Sequence, residues 1–349
     1  MLRKMICLIT LVVLSALSLS TAAAQEQAAE LPASYTLNGF TYIAQTWNNC
    51  GPATLTMGLT YYGVAADQQI AARWLKPNFE DKNVSPWQMI QYVNDFVPGI
   101  NALARVGGTL DRLRTLLVNQ FPVIIEAGYD PEGQNLGWMG HYLLIVAYDD
   151  NTQIFTTYDS YEGQNVQYSY EHVTEYWAHF NRQYIVLYTS DREEELMTLL
   201  GTDADEQQNY VNALEMARAD AIANDQNPFA WFNMGSSFVG LGMYEEAAVV
   251  YDQARVVGGG LPWRMFWYQF GALDAYIAVG RYNDVIAIVQ ANLNDGGGQY
   301  VEESYYYGGL AREGLGQTDR ALSNYNAAIQ FNPNFTPAIE ARNRLQNGG

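Results

Sequence analysis

One cysteine lies in a sequence context that favours nucleophilic chemistry. Cys50 is followed by Gly51 and Pro52 and then by an apolar helical pattern, with Gln45 five residues upstream. Proline favours the first turn of a helix, so we expect Cys50 at a helix N-terminus. There the positive end of the helix dipole stabilises a thiolate, which is the nucleophile of cysteine hydrolases.

The cysteine count supports a chemical role for this residue. The chain has two cysteines, Cys7 and Cys50, and Cys7 lies in a predicted signal peptide. An exported protein with a single cysteine cannot form an internal disulfide, and an unpaired thiol is a liability in an oxidising compartment. A chemical role would explain why Cys50 is retained. The alternative is that Cys50 is a small buried hydrophobic residue. The neighbouring Gln45 and Gly51-Pro52 favour the role of a nucleophile over that of a buried hydrophobic residue.

A thiol nucleophile needs a base, and the chain has few candidates. It contains three histidines, all before residue 190: His141, His172 and His179. His141 opens an apolar strand, and Asp159 ends the strand predicted to pair with it through a turn at 150–151. Asp159 is thus expected beside His141, where an acid holds an imidazole in one tautomer. Alternatively Asp159 is a turn residue. We expect His172 and His179 to serve packing or surface roles.

Composition excludes several classes of function. One mature cysteine and three scattered histidines give no zinc-site spacing, so we expect neither a metal nor a cofactor. The formal net charge is −19. Such an acidic chain is not expected to bind nucleic acid or an anionic membrane through charge.

The first 24 residues have the pattern of a secretory signal peptide. A basic start, an apolar middle and a run of alanines predict cleavage near Ala24. The alternative is an uncleaved membrane anchor. Cleavage removes two basic residues and no acidic one, so the net charge falls to −21. The mature chain has no stretch long enough to span a membrane, and we expect it to be secreted or extracytoplasmic, at the cell surface or in the periplasm.

The mature chain divides into two regions by pattern. After a flexible leader at 25–35, residues 36–190 show helical patterns followed by alternating strand patterns, which predicts an α+β domain. A charged linker at 191–204 precedes an all-helical region at 205–349.

The helical region contains three phased units, at about 228–260, 265–297 and 302–335, with flanking helices. Gly242, Gly280 and Gly316 end the first helix of each unit, and aromatic and alanine positions recur around them. This pattern resembles the tetratricopeptide repeat, and the middle unit fits it least well. The alternative is a degenerate helical bundle.

Residues 36–190 resemble the papain-like cysteine peptidases of the bacteriocin-processing, double-glycine type (peptidase family C39-like). The motifs that carry the resemblance are Gln-x4-Cys-Gly-Pro, Gly-His-Tyr-Leu-Leu-Ile-Val, and an aspartate ending the next strand. The resemblance implies Cys50 as nucleophile, His141 as general base and then acid, Asp159 as its orienting group, and Gln45 with the Cys50 N–H as oxyanion donors. Asn49 departs from the family, which often has an acidic residue there.

These features predict an exported cysteine peptidase that hydrolyses peptide bonds, with a repeat domain that docks a peptide or protein substrate or a protein partner. The chain has no nucleotide-binding loop, so the exporter-linked role of the family does not transfer. Two alternatives remain: a catalytically inactive binding module on a repeat scaffold, and an amidase or acyltransferase with the same triad. Trp47, Trp138 and Met139 either line the cleft or belong to the core.

Overall fold

The computed structural model describes residues 31–131 and 137–347. The predicted signal peptide and leader residues 25–30 lie outside the described residues. From Ala33 onward the chain forms one compact unit, which contains both the α+β region and the helical region. No helix within the described ranges is long and apolar enough to cross a membrane.

The first region is built on an antiparallel sheet. Among the described residues its strands are β1 (Ser34–Thr36), β2 (Ile100–Arg105), β3 (Val123–Tyr129), β4 (Met139–Asp149), β5 (Ile154–Asp159), β6 (Gly163–Ser169) and β7 (Tyr184–Thr189). The strand order is β2-β7-β3-β4-β5-β6, and β1 pairs with β4. Every pairing is antiparallel.

Helices cover both faces of this sheet. They are α1 (Cys50–Thr60), α2 (Gln68–Leu75), α3 (Pro86–Phe96), α4 (Leu110–Val118), α5 (Tyr170–Ala178) and α6 (Glu193–Leu200). Alternate residues of β4 face opposite sides. Leu144 packs in the core under α1–α3, whereas Leu143 and Ile145 pack in the core under α4–α6. The α+β expectation is therefore confirmed.

Three segments differ from the sequence-based prediction. Strand β6 was not predicted, because its residues are mostly polar and exposed at the sheet edge. Ser34 and Tyr35 of the predicted leader pair with β4 in the sheet. The predicted linker 191–204 includes helix α6, and its Leu196 and Leu200 are buried in the α4–α6 core.

The second region, as far as residue 347, is built from helices and the turns that join them. Its helices are α7 (Glu206–Ala223), α8 (Pro228–Gly240), α9 (Tyr244–Ala254), α10 (Met265–Tyr268), α11 (Gly271–Ala278), α12 (Tyr282–Asn294), α13 (Glu302–Gly314), α14 (Thr318–Phe331) and α15 (Thr336–Gln346). Gly242, Gly280 and Gly316 all adopt a positive φ just after α8, α11 and α13, the conformation that favours glycine at a helix end.

The middle unit departs from its neighbours. Its first helical segment is split into α10 and α11 by Gln269, whose backbone is extended. The equivalent α8 and α13 are continuous helices of 13 residues. The departure seen in the sequence therefore corresponds to a broken helix.

The helical region packs against the α+β region at several separate places along its length. Side chains that hydrogen-bond across the boundary include Asn209 with Val106, Asn233 with Ala178, Gln269 with His179, Glu303 with Asn83 and Ser85, and Asn334 with Trp74. Most of these bonds involve buried or half-buried groups. The boundary is therefore an extensive interface rather than a flexible tether.

Candidate active site

Helix α1 begins at Cys50, as the sequence predicts. The first N–H groups of a helix lack acceptors within it, so they point toward whatever lies at its N-terminus. The N–H groups of Gly51 and Tyr142 hydrogen-bond to the Cys50 sulfur. A Cβ at position 51 would lie 3.1 Å from the Val84 side chain, so a larger residue than Gly51 would press on Val84.

Gln68 holds the loop that carries Cys50. Its Oε1 accepts hydrogen bonds from the Asn49 side chain and from the Thr46 N–H, and its Nε2 donates to the Ala44 carbonyl. Asn49 therefore makes a buried amide contact where the family often has an acidic residue. Gln68 was not predicted as part of the site, because a polar residue at a helix start is ordinary in a single sequence.

His141 and Asp159 are in contact. The Nε2 atom of His141 lies 2.7 Å from Oδ1 of Asp159, and both side chains are buried. With Nε2 engaged by the carboxylate, Nδ1 is the nitrogen available to Cys50, whose side chain hydrogen-bonds to His141. Cys50, His141 and Asp159 thus form a continuous chain of contacts.

A β-bulge in β4 produces this contact. Near the turn, Asp149 pairs with Ile154, but the register shifts between Ile145 and Ala147, so that Asp159 pairs with Leu143. Without the shift Asp159 would pair with Leu144, whose side chain lies on the opposite face of the sheet from His141. Counting across the hairpin predicted the correct sheet end but not this bulge.

Asp159 is held as an anion by four donors. Its Oδ1 also accepts the N–H groups of Tyr161 and Glu162, and its Oδ2 accepts the hydroxyl of Tyr168 at 2.8 Å. Burial opposes ionisation, but the charge of His141 and these bonds lower the pKa of Asp159 to about 2. Tyr168 lies on β6, the strand absent from the prediction.

The electrostatics favour an ion pair between Cys50 and His141. Burial disfavours the imidazolium, yet the charge and hydrogen bond of Asp159 raise the pKa of His141 to about 10. Burial likewise opposes the thiolate, but the hydrogen bond and charge of His141 lower the pKa of Cys50 below its ordinary value. A thiolate beside an imidazolium is the reactive form of a cysteine nucleophile.

Gln45 lies in the same cleft with its amide orientation fixed. Its Oε1 accepts the Ser160 hydroxyl at 2.8 Å, and its backbone N–H donates to the Ser160 carbonyl. The remaining end of the amide, Nε2, is a donor that can serve a developing oxyanion. Ser160 follows Asp159 directly, so one turn positions both groups.

The other two histidines make aromatic contacts. His179 stacks on Phe229 of α8 at 3.7 Å and accepts a hydrogen bond from Trp138, and burial lowers its pKa to about 4. His172 stacks between Tyr168 and Tyr176. In this structure they pack between elements, and Cys50 contacts His141.

The side chains of Cys50 and His141 line a cleft with a volume of about 600 Å³. From the α+β region the lining includes Gln45, Trp47, Lys82, Tyr129, Met139 and Tyr161. Trp47 is 57% exposed and Met139 lines the cleft, whereas Trp138 is buried behind it. The helical region also contributes lining residues, namely Trp263, Arg264, Trp267, Tyr268 and 295–297, which the sequence did not reveal.

Within residues 31–131 and 137–347, no group of three or more histidine, cysteine, aspartate or glutamate side chains is arranged to hold a metal ion. Acyl transfer through a thiolate, in contrast, needs the groups that the cleft brings together: a nucleophile, a proton donor and an oxyanion donor.

Residues 37–185 match the sequence profile of the Peptidase_C39 like family. This match supports a papain-like cysteine peptidase fold for this part of the chain. No curated protein matches the sequence. A solved structure titled "MamA RS-1 ArsTM double mutant" is similar at 15% identity and a TM-score of 0.33, over 44% of this chain and 92% of that one. At this TM-score the likeness carries no argument about fold or function.

Proposed function

We propose that the protein is an exported cysteine peptidase that hydrolyses peptide bonds with Cys50, His141 and Asp159. The observation that carries the proposal is the contact chain from Cys50 through His141 to a buried Asp159 that accepts four hydrogen bonds. Gln45 in the same cleft supports it, because a preformed donor for the oxyanion is the other requirement of acyl transfer.

The first half-reaction forms a thioester. The Cys50 thiolate attacks the peptide carbonyl carbon, and the carbonyl electrons move to oxygen. The Gln45 amide and the N–H of Cys50 donate hydrogen bonds to that oxyanion. When the intermediate collapses, the C–N bond breaks and His141 gives its proton to the leaving amine. The acyl group remains on the Cys50 sulfur.

The second half-reaction restores the enzyme. His141, now neutral, takes a proton from water as the water oxygen attacks the thioester carbon. The same donors stabilise the second oxyanion, and its collapse breaks the C–S bond. The products are a carboxylic acid and the regenerated thiolate–imidazolium pair. Asp159 keeps the imidazole in one tautomer throughout, with Nδ1 toward Cys50.

The same proposal includes export of the protein. The N-terminal 24 residues act as a signal peptide, since a basic start, an apolar run and an alanine-rich end are the sequence features of such a segment.

The proposal also includes the helical region, whose three units are degenerate tetratricopeptide repeats. The shared positive-φ glycines after α8, α11 and α13 support repetition of one structural unit.

A peptide-library cleavage assay under reducing conditions tests the activity. The mature chain, starting at Gln25, is incubated with the library and products are identified by mass spectrometry. Cleavage is expected from the parent and is expected to be lost in Cys50→Ala and His141→Ala.

A matched control is His179→Ala, which removes a histidine that stacks on Phe229 outside the contact chain. It is expected to retain activity if the variant stays folded by circular dichroism. Equal cleavage by the parent and Cys50→Ala would exclude the peptidase function. Cleavage of amide side chains or acyl transfer without peptide cleavage would assign the triad to another reaction.

A further inference from the structure

The cleft has a second wall that comes from the broken middle unit of the helical region. Trp263, Trp267 and Tyr268, in and just before α10, line the cleft that contains Cys50 and His141. Gly296 and Gly297, beyond α12, continue the same wall. The helical region therefore contributes directly to the surface beside the reactive cysteine.

This wall is anchored close to His141. Tyr268 packs on Gly140, where a Cβ would lie 3.0 Å from its ring. The Tyr268 ring also makes edge contacts with Trp138 and Phe180 at 5.9 and 6.3 Å. Its phenol is close enough to Cys50 for the two groups to interact electrostatically. Packed aromatic rings therefore hold this wall against Gly140, the residue that precedes His141.

The exposed part of the wall is aromatic. Trp263 is 52% exposed, although it packs edge-on against the buried Trp267 at 5.2 Å. Trp47, from the loop before Cys50, is 57% exposed on the α+β side of the cleft. Large aromatic rings left open to solvent in one cleft mark a surface that gains free energy when a ligand covers it.

The charges in the cleft do not favour an ionic ligand over an apolar one. Lys82 lies over the Trp47 ring at 4.9 Å and 4.0 Å from Glu80. Arg264 lies over the Trp263 ring at 4.4 Å, and Asp295 stands in the same wall. Both cations therefore pack on tryptophan faces with acidic groups in the neighbourhood, and most of the exposed lining is apolar.

We infer that the Trp47 and Trp263 sides of the cleft form a subsite that selects peptides with an aromatic or large aliphatic residue beside the scissile bond. This inference rests on the proposed peptidase function. The helical region would then act as a specificity element that contacts the substrate next to the reacting carbonyl. Trp263 is a specificity residue in this scheme, whereas Tyr268 and Trp267 position the wall.

Peptide acyloxymethyl ketones that alkylate cysteine test the subsite without knowledge of the natural substrate. Four probes differ only in the residue next to the warhead: phenylalanine, leucine, alanine or glutamate. On the mature full chain, the phenylalanine and leucine probes are expected to label Cys50 about tenfold to a hundredfold faster than the alanine probe. Trp263→Ala is expected to remove most of that preference.

Iodoacetamide and a second tryptophan supply the controls. Iodoacetamide is too small to reach the wall and reports the reactivity of the Cys50 thiol itself, so each probe rate is divided by the iodoacetamide rate of the same variant. Trp231→Ala, which removes a tryptophan from α8 outside the cleft, is expected to keep the parental preference. If alanine disturbs folding, Trp263→Phe is the second variant: it keeps an aromatic ring at the same position and is expected to keep most of the parental preference.

The outcomes distinguish failure of the subsite from failure of the proposed peptidase function. Equal rates for the phenylalanine and alanine probes on the parent, or an equal loss of rate for all probes in Trp263→Ala, overturn the subsite. A fastest rate with the glutamate probe also overturns it and assigns the cleft to acidic residues through Lys82 and Arg264. If Cys50 shows no enhanced reactivity toward iodoacetamide or any peptide probe, the peptidase function itself fails.

Discussion

Asp159→Asn is the substitution that most directly tests the electrostatics of the site. It preserves size while removing the negative charge that faces His141. The pKa of His141 is raised from an ordinary 6.5 to about 10, and burial works against that rise. At about 1.4 kcal/mol per unit, the surroundings favour the imidazolium by roughly 5 kcal/mol. Asp159 is the strongest of the groups that raise the pKa, so most of this stabilisation is lost in the variant.

Loss of the imidazolium should raise the pKa of the Cys50 thiol. Without a stable imidazolium, the pKa of Cys50 returns to its ordinary range or above, because burial is then unopposed. A thiol with a pKa of about 8.5 is only about 0.3% ionised at pH 6. Alkylation of Cys50 by iodoacetamide at pH 6 is therefore expected to slow by about 10²–10³-fold, and peptide cleavage by about 10²–10⁴-fold.

The assay is the pH dependence of the alkylation rate, read by mass spectrometry. In the parent, reactivity should fall at a pH below the ordinary pKa of a thiol, because the hydrogen bond and charge of His141 lower the pKa of Cys50. In Asp159→Asn the fall should move to higher pH. Tyr168→Phe is the matched control, since it removes one donor to Asp159 without changing the charge. If Asp159→Asn and the parent alkylate equally at pH 6, Asp159 does not sustain the ion pair.

Three further outcomes are expected. Gln45→Ala should lower peptide turnover by about 10²–10³-fold while leaving iodoacetamide alkylation unchanged, because the amide acts on the oxyanion and not on the thiolate; an unchanged turnover would remove it from that role. Gln68→Ala should lower the free energy of unfolding by about 1–3 kcal/mol in denaturant titration, since the buried Asn49 amide loses its acceptor; unaltered stability would contradict this. Burial and the neighbouring Glu302 charge raise the pKa of the Glu303 carboxyl well above its ordinary value, so the folded state binds its proton more tightly and stability falls as pH rises above 4.5. Glu303→Gln should therefore melt at a higher temperature than the parent at pH 7 but not at pH 4, and equal melting at pH 7 would refute this.

Local signals predicted the parts of the site that depend on nearby sequence. Cys50 at a helix start followed from Pro52, and the approach of Asp159 to His141 followed from the 150–151 turn. The family match covers the same region. These features are encoded within a few residues of the groups they position, so periodicity and turn chemistry are enough to detect them.

Other features depend on contacts that a single sequence does not display. The β4 bulge is one residue of irregular pairing inside an apolar run, where alternation is hidden because both faces are buried. Gln68 reaches the Cys50 loop from a separate helix. Nothing in the sequence near Trp263 distinguishes it from the other aromatic residues of the helical region. Its place in the cleft follows from the packing of that region against the α+β region. Tertiary packing, not local propensity, places each of these.

The interrupted middle unit also has an evolutionary consequence. Arrays of stacked helix pairs commonly gain or lose units, because each unit contacts only its neighbours. Here the segment around Trp263 lines the cleft beside Cys50, and the break at Gln269 shapes it. Insertion or deletion of a pair before this unit would carry the wall away from the cleft. The wall thereby constrains the number of helix pairs between Ser190 and Trp263, and the bonds of Glu303 and Asn334 to the α+β region constrain the helices after α12 as well.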